Sequence, residues 1–306
     1  MIYTLTFSPA IDYVIELDNL KVGQINRTKS EVMMAGGKGI NVSVVLANLG
    51  RTSVASGFIA GFTGEFIKDE LEKKGIKTDF VEVEGKTRIN VKIRGNEETA
   101  INGQGPAISD EKIDELVDKL SKLTSDDLLI ISGTIPKTLP SNIYEIILDR
   151  IKDNHVGLVV DCEKDILLST LKNKPLLVKP NKEELEEMFN TKIDDYDSLV
   201  VNAKKLMAMG ARNVIVSLGG NGALLLSEDG LEVKLSPPGK GRKVVNTVGA
   251  GDSLVAGFVD EYLATNDIFK AFKKGIATGS ASAFSIGLAT KEEVLELLNE
   301  MEMGNR

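Results

Sequence analysis

Residues 128–161 read LLIISGTIPKTLPSNIYEIILDRIKDNHVGLVVD. The run opens on the apolar stretch 128–132 and ends on a second, 157–161. Neither shows the polar alternation of a half-exposed strand, and both suit strands buried on two faces of a parallel sheet. Between them Tyr144, Ile147, Leu148 and Ile151 fall three and four apart, which is one helical stripe. Strand, helix, strand is the repeating unit of a doubly wound α/β fold. The alternation extends in both directions. Towards the N-terminus lie a buried first strand, a helix over 39–49 (Val42, Val45, Leu46, Leu49), a strand over 53–57, a helix over 64–74 closed by Gly75, and a helix over 111–123. Towards the C-terminus 176–178 and 214–217 read as buried strands. Segments 223–226 and 231–235 read as a meander at the sheet edge, followed by helices over 252–264, 268–285 and 291–301. The expectation is one domain, 1–306, on a doubly wound, mostly parallel sheet flanked by helices.

Four polar, alternating segments, 13–18, 27–34, 88–94 and 98–102, do not fit that sheet and are expected to pair as a small one standing off it. Composition narrows the function. Of 306 residues 42% are hydrophobic and 27% charged, with a net charge of −8, so no basic surface for nucleic acid is expected. A single cysteine, Cys162, excludes an intrachain disulfide, and a single histidine, His155, excludes His triads and multi-His metal sites. No apolar run approaches the roughly 20 residues of a membrane helix, and the first residues lack a signal peptide's basic region. A cytoplasmic protein is expected.

The motifs cluster at strand ends, where doubly wound sheets bind ligands. Asn246-Thr247-Val248-Gly249-Ala250-Gly251-Asp252-Ser253 leads into the stripe Val255, Phe258, Val259, Tyr262. Small residues let the backbone turn tightly and present N–H groups at a helix N-terminus, an anion site. There Asp252 can accept a hydroxyl proton while Gly249, Ala250 and Gly251 steady phosphoryl oxygens. The same residues also read as a plain Asp cap. A carboxylate in that turn is expected to keep a low pKa, which a loose phosphoryl-transfer transition state tolerates.

Ala35-Gly36-Gly37-Lys38-Gly39-Ile40-Asn41 opens another helix without the Gly-Lys-Ser/Thr spacing of a Walker loop. Lys38 suits a phosphate and Asn41 sugar hydroxyls; a solvated turn lysine is the plain alternative. Ser217-Leu218-Gly219-Gly220-Asn221-Gly222 suits nucleotide phosphate or ribose, or equally a hairpin through Asn-Gly. In Lys179-Pro180-Asn181-Lys182-Glu183-Glu184, Asn181 and Glu184 share a helix face. They suit either hydrated Mg²⁺ or a capping box, and spacing alone favours the box. Asp12 follows Ser8-Pro9-Ala10 at the exit of the first strand, placed for sugar hydroxyls. Arg88, with Asn90, lies on a standing-off strand and can grip a phosphate in a fork. Cys162 is expected to pack without chemistry.

The order of these motifs, from Asp12 through Gly-Gly-Lys-Gly-Ile-Asn, Thr87-Arg88-Ile89-Asn90, Lys179-Pro180-Asn181-x-x-Glu184 and Ser217-Leu218-Gly219 to Gly249-Ala250-Gly251-Asp252, resembles the ribokinase-like (PfkB) carbohydrate kinases over nearly the whole chain. Met1-Ile2-Tyr3-Thr4-Leu5-Thr6, Thr87-Arg88-Ile89-Asn90-Val91-Lys92, Ile101-Asn102-Gly103-Gln104-Gly105-Pro106 and Gly279-Ser280-Ala281-Ser282-Ala283-Phe284 look like the family's bacterial 1-phosphofructokinase subgroup. The resemblance implies ATP, Mg²⁺ and a phosphorylated ketohexose, with fructose 1-phosphate converted to fructose 1,6-bisphosphate. It implies Asp252 as base and Gly249, Ala250 and Gly251 as anion hole. Lys179, Ser217, Gly219, Gly220, Asn221, Gly222 and Gly251 would meet the nucleotide. Asp12, Gly36, Gly37, Asn41 and Asn90 would hold the sugar, and Lys38, Arg88 and Arg27 its phosphate. Asn181 and Glu184 would organise the metal. Segments 11–35 and 87–104 would form a β lid that pairs two subunits. Ser8 stands where many relatives have Asn, and Asp161-Cys162-Glu163-Lys164 where they commonly have Asp-x-Ser-Gly. The alternatives are a tagatose-6-phosphate kinase and, in another class, a non-catalytic sugar-phosphate or nucleotide sensor, against which the presence of Asp252 argues.

Overall fold

The computed structural model describes residues 1–303. β1 (Ile2–Thr6) is followed by β2 (Ala10–Glu16) and β3 (Ser30–Gly36), then α1 (Lys38–Asn48) and β4 (Ser53–Ala60). α2 (Gly61–Lys73) and β5 (Lys77–Val83) precede β6 (Arg88–Arg94) and β7 (Glu98–Asn102). Next come α3 (Asp110–Leu120), β8 (Leu128–Gly133), α4 (Ile143–Ile151), β9 (Gly157–Cys162), α5 (Lys164–Thr170) and β10 (Leu177–Val178). α6 (Lys182–Phe189), α7 (Tyr196–Ala208), β11 (Asn213–Ser217), β12 (Ala223–Ser227) and β13 (Glu232–Leu235) follow, and α8 (Ala250–Thr265), α9 (Ile268–Phe284) and α10 (Lys291–Met303) complete the described chain.

The main sheet has nine strands in the order β13-β12-β11-β10-β9-β8-β1-β4-β5, all running the same way except β12, which is antiparallel to both β11 and β13. Alternate residues of the central strands feed two apolar layers. Leu129, Ile131 and Val160 pack with Leu116, Ile147 and Leu167 from α3, α4 and α5. Leu128, Ile130 and Val159 pack with Val45, Val255 and Phe272 from α1, α8 and α9. Two-sided burial is why these strands read as unbroken apolar runs. Each such side chain contributes about 2 kcal/mol over exposure.

The small sheet, β3-β2-β6-β7, is built from two insertions: β2 and β3 leave the carboxyl end of β1, and β6 and β7 leave that of β5. It therefore rises from the edge where ligands bind. The chain runs outward from β1 through β4 to β5, returns to β8, and then runs the other way to β11. The switch between β1 and β8 opens a crevice at their carboxyl ends.

Three elements were not anticipated: β5, α7 and the seven-residue α5. β5 is an edge strand with only Val81 buried, so it carries no apolar run. α7 carries a capping box, Asp195 with Ser198, and the stripe Leu199, Ala203, Leu206, both of which the sequence reading passed over. The lid strands also sit at 10–16 and 30–36 rather than 13–18 and 27–34, because buried Ala10 and Ile11 draw β2 towards the body. Among the described residues no helix is long and apolar enough to cross a membrane.

Candidate active site

The N-termini of α1 and α8 meet above the crevice. α8 starts from Gly249, which takes a left-handed φ of 80° and whose Cβ, if present, would lie 2.6 Å from Leu288 Cδ2. The Ala250 N–H is taken by the Thr247 carbonyl at 3.2 Å, leaving those of Gly251 and Asp252 as the free first-turn donors among the described residues. Asp252 does not cap the helix: the N-cap is Gly249, and no side chain caps the first-turn N–H groups. Asp252 instead turns inward, 5% exposed, and accepts a hydrogen bond at Oδ2 from Asn41 Nδ2 at 2.8 Å. Burial, then the charge of Asp161, push its pKa up to about 6, against the opposing pull of Asn41, Lys38 and Lys179. The expectation of a low pKa is corrected: desolvation outweighs the helix N-terminus. A carboxylate poised there is a far better general base near neutral pH.

Asp161 is one site residue that the sequence reading missed. It is the last residue but one of buried β9, and with its registry partner Ser132 on β8 and with Lys179, just beyond β10, it forms one polar row on the α1 and α8 side of the sheet. Lys179 Nζ lies 3.0 Å and Lys38 Nζ 4.0 Å from Asp161 Oδ1. Burial opposes the Asp161 charge, but Lys179 and Lys38 outweigh it and hold the carboxyl below its ordinary range. Asp161 in turn keeps Lys38 firmly protonated. Two carboxylates and two lysines thus balance in one small volume. The signal available in the sequence was an Asp at the carboxyl end of an apolar strand, the place where this architecture puts ligands.

On the lid side Asp12 accepts hydrogen bonds from Asn90 Nδ2 (3.0 Å) and Lys92 Nζ (2.8 Å). Gly36 admits it, since a Cβ there would stand 2.7 Å from Asp12 Cγ. Arg88 donates through Nη2 to the Ser8 carbonyl at 2.9 Å while its buried Nε has no partner, and burial lowers its pKa against the pull of Asp12. The structure thus brings Asp12, Gly36, Arg88 and Asn90 together on the lid side and Lys38 and Asn41 beside Asp252. Arg27 is not brought in: it stands exposed in the loop between β2 and β3.

A cleft of about 830 Å³ runs from Asn181 along the turn after β11 to Gly251 and α9. Ser217, Gly219, Gly220, Asn221 and Gly222 line one side. Their stretch is also the link from β11 to β12, so the hairpin and cleft-wall readings both describe it. Pro237, Val244, Ile276, Ala283 and Phe284 supply apolar walls suited to a nucleobase. Lys179 is the exception among the expected nucleotide residues, for it sits beneath the cleft, locked to Asp161 and against Gly251.

Asn181 and Glu184 form the capping box of α6: Asn181 Oδ1 accepts the Glu184 N–H at 2.7 Å and Glu184 Oε2 the Asn181 N–H at 2.8 Å. That leaves Glu184 Oε1 without a protein partner among the described residues, and Glu184 is close enough to favour the charge on Lys38. Among the described residues no three His, Cys, Asp or Glu side chains form a cage. Both observations fit a divalent metal that arrives on the nucleotide and keeps most of its water.

A family model described as pfkB family carbohydrate kinase matches residues 5–294. The chain is 43% identical to the 1-phosphofructokinase of Bacillus subtilis, and 37% identical to the D-tagatose-1-phosphate kinase of Bacillus licheniformis, covering 99% of both partners in each case. The structure of Escherichia coli phosphofructokinase-2 with substrates and products is similar at 27% identity and a TM-score of 0.92, over 98% of this chain and 99% of that one. With the ribokinase-like fold, the two convergent glycine-rich helix starts and the family model spanning nearly its whole length, this chain belongs to the pfkB family of carbohydrate kinases and is an ATP-dependent sugar kinase.

Proposed function

We propose that this kinase transfers the γ-phosphoryl group of ATP to the 6-hydroxyl of fructose 1-phosphate, giving ADP and fructose 1,6-bisphosphate. The observation that supports this most is the junction at Gly251 and Asp252. The nucleotide cleft ends on Gly251, and the next residue is a buried carboxylate with a pKa of about 6, held by Asn41. Asp252 takes the proton of the 6-hydroxyl as that oxygen bonds to the γ-phosphorus and the bond to the β,γ-bridging oxygen breaks. The free N–H groups of Gly251 and Asp252 face the phosphoryl oxygens. Lys38 and Arg88 hold the sugar's own phosphate, and Asp12, Asn41 and Asn90 its hydroxyls, with the backbone of Gly36 and Gly37 close by. Arg27 joins them only by movement of its loop. Asn181 and Glu184 would hold the metal, Mg²⁺, which when bound would neutralise charge on the nucleotide's phosphates.

The substrate rests on the relatives' names, and one of them favours a second reading, D-tagatose 1-phosphate. Fructose and tagatose differ only in configuration at carbon 4, so the same phosphate grip serves both. ADP release measured with fructose 1-phosphate, tagatose 1-phosphate, fructose 6-phosphate and tagatose 6-phosphate decides between them. The highest kcat/KM is expected with fructose 1-phosphate. Preference for tagatose 1-phosphate would establish the second reading, and preference for a 6-phosphate would overturn both. Tight binding of a sugar phosphate without turnover would instead identify a sensor.

A further inference from the structure

Lys92 has no part in the chemistry above, yet it holds one of the sugar-site residues. Alternate residues of a strand share a face, so β6 presents Arg88, Asn90 and Lys92 together. In the parallel register with β2, Ala10 pairs with Arg88, Asp12 with Asn90 and Val14 with Lys92, which sets the three polar groups around Asp12. Both carboxylate oxygens are engaged, Oδ1 by Asn90 at 3.0 Å and Oδ2 by Lys92 at 2.8 Å. The pair is shielded, at 19% and 18% exposure, whereas the lid's other ion pair, Lys29 with Asp18, stands at 56% and 83%. Exposed pairs of the latter kind fix little, because water and side-chain entropy compete. A shielded carboxylate with two donors, pressed against the Gly36 backbone, is confined to one orientation.

We propose that Lys92 is a positioning residue for sugar recognition: with Asn90 it fixes the Asp12 carboxylate in the orientation that receives the sugar hydroxyls, without itself gripping the sugar phosphate. This rests on the reading of Asp12 as a sugar ligand. Without the ammonium, Asp12 keeps one donor and gains freedom to rotate away, so sugar affinity falls while the nucleotide cleft is untouched.

The test is a double-mutant cycle on Lys92→Met and Asp12→Asn, read as KM for ATP and for whichever ketohexose phosphate supports turnover. Lys92→Met is expected to raise the sugar KM about tenfold or more, the scale of a lost hydrogen bond to a charged group, with the ATP KM unchanged. Lys92→Arg should recover most of the loss. In the Asp12→Asn background, Lys92→Met should add no more than about twofold, since both substitutions break the same contact. Full additivity would overturn the proposal, because Lys92 would then act on the ligand independently of Asp12. An unchanged sugar KM in Lys92→Met, or in Lys92→Gln should the methionine variant not fold, would also overturn it. An unchanged sugar KM in Asp12→Asn would remove the Asp12 reading and this inference together.

Discussion

Asp252 shows what a single residue gains from its surroundings. In sequence it is an acid after two small residues, equally a cap or a base. In the fold it is buried beside Asn41, and its pKa moves from 3.8 to about 6. The groups that face it are Asn41 and Lys38 from α1, Asp161 from β9 and Lys179 beyond β10. If its deprotonated form is the base, kcat/KM for the sugar phosphate rises with pH through a limb centred near 6. Asp161→Asn removes a negative charge that opposes ionisation, so the limb should move to lower pH; a limb that stays or rises would refute the coupling. Between its ordinary value and about 6, the folded chain holds a proton that the unfolded chain has released, so stability falls as pH rises through that window. Asp252→Asn should therefore be more stable than the parent above pH 7, on the order of 2–3 kcal/mol, visible as a higher Tm. Lys38→Ala should raise the KM for the sugar phosphate far more than that for ATP, and an equal rise in both would place Lys38 elsewhere. Asp252, Lys38 and Asn41 were legible because motif and position pointed the same way. Asp161 and Lys92 were not, since their importance lies in partners that registry and burial supply, and the Asp252 pKa was misjudged for the same reason.

Among the elements, the glycine-rich starts of α1 and α8 do most to shape the site, and both could be read directly. The central strands could be read too, because burial on both faces leaves an unbroken apolar run. β5 could not, since an edge strand with one buried residue has no pattern, whereas α7 shows both a cap and a stripe that were passed over. Asn181-x-x-Glu184 shows that two readings of one motif need not compete: the capping box is formed, and one carboxylate oxygen remains free. The link from β11 to β12 gives the sharpest test at this scale. Gly222 has a φ of 86°, and a Cβ there would lie 1.8 Å from the Leu235 carbonyl oxygen. Gly222→Ala should destabilise the protein by about 3 kcal/mol and, in what folds, raise the ATP KM while sparing the sugar KM. An unchanged ATP KM would separate this turn from nucleotide binding.

At the scale of the molecule, we read the chain as one domain whose two insertions form the lid, both leaving strand ends that surround the crevice. The lid announced itself through polar alternation that the main sheet cannot use. Its outer strands leave Met33 and Ile101 exposed on the face turned away from Asp12, at 42% and 58%, an apolar face on a sheet with open edges. We propose that a second copy covers it, making a homodimer through the lid. Sedimentation at micromolar concentration should show a dimer that Met33→Asp shifts to monomer, with lower sugar affinity because the lid loses support; a monomeric parent protein would contradict this. The central claim is that Asp252 is the base of the transfer reaction, and its most direct test is kcat for Asp252→Asn with fructose 1-phosphate and saturating ATP, followed by ADP release. A fall of about 10³, with the KM values little changed, is predicted; turnover within about tenfold of the parent would contradict the assignment.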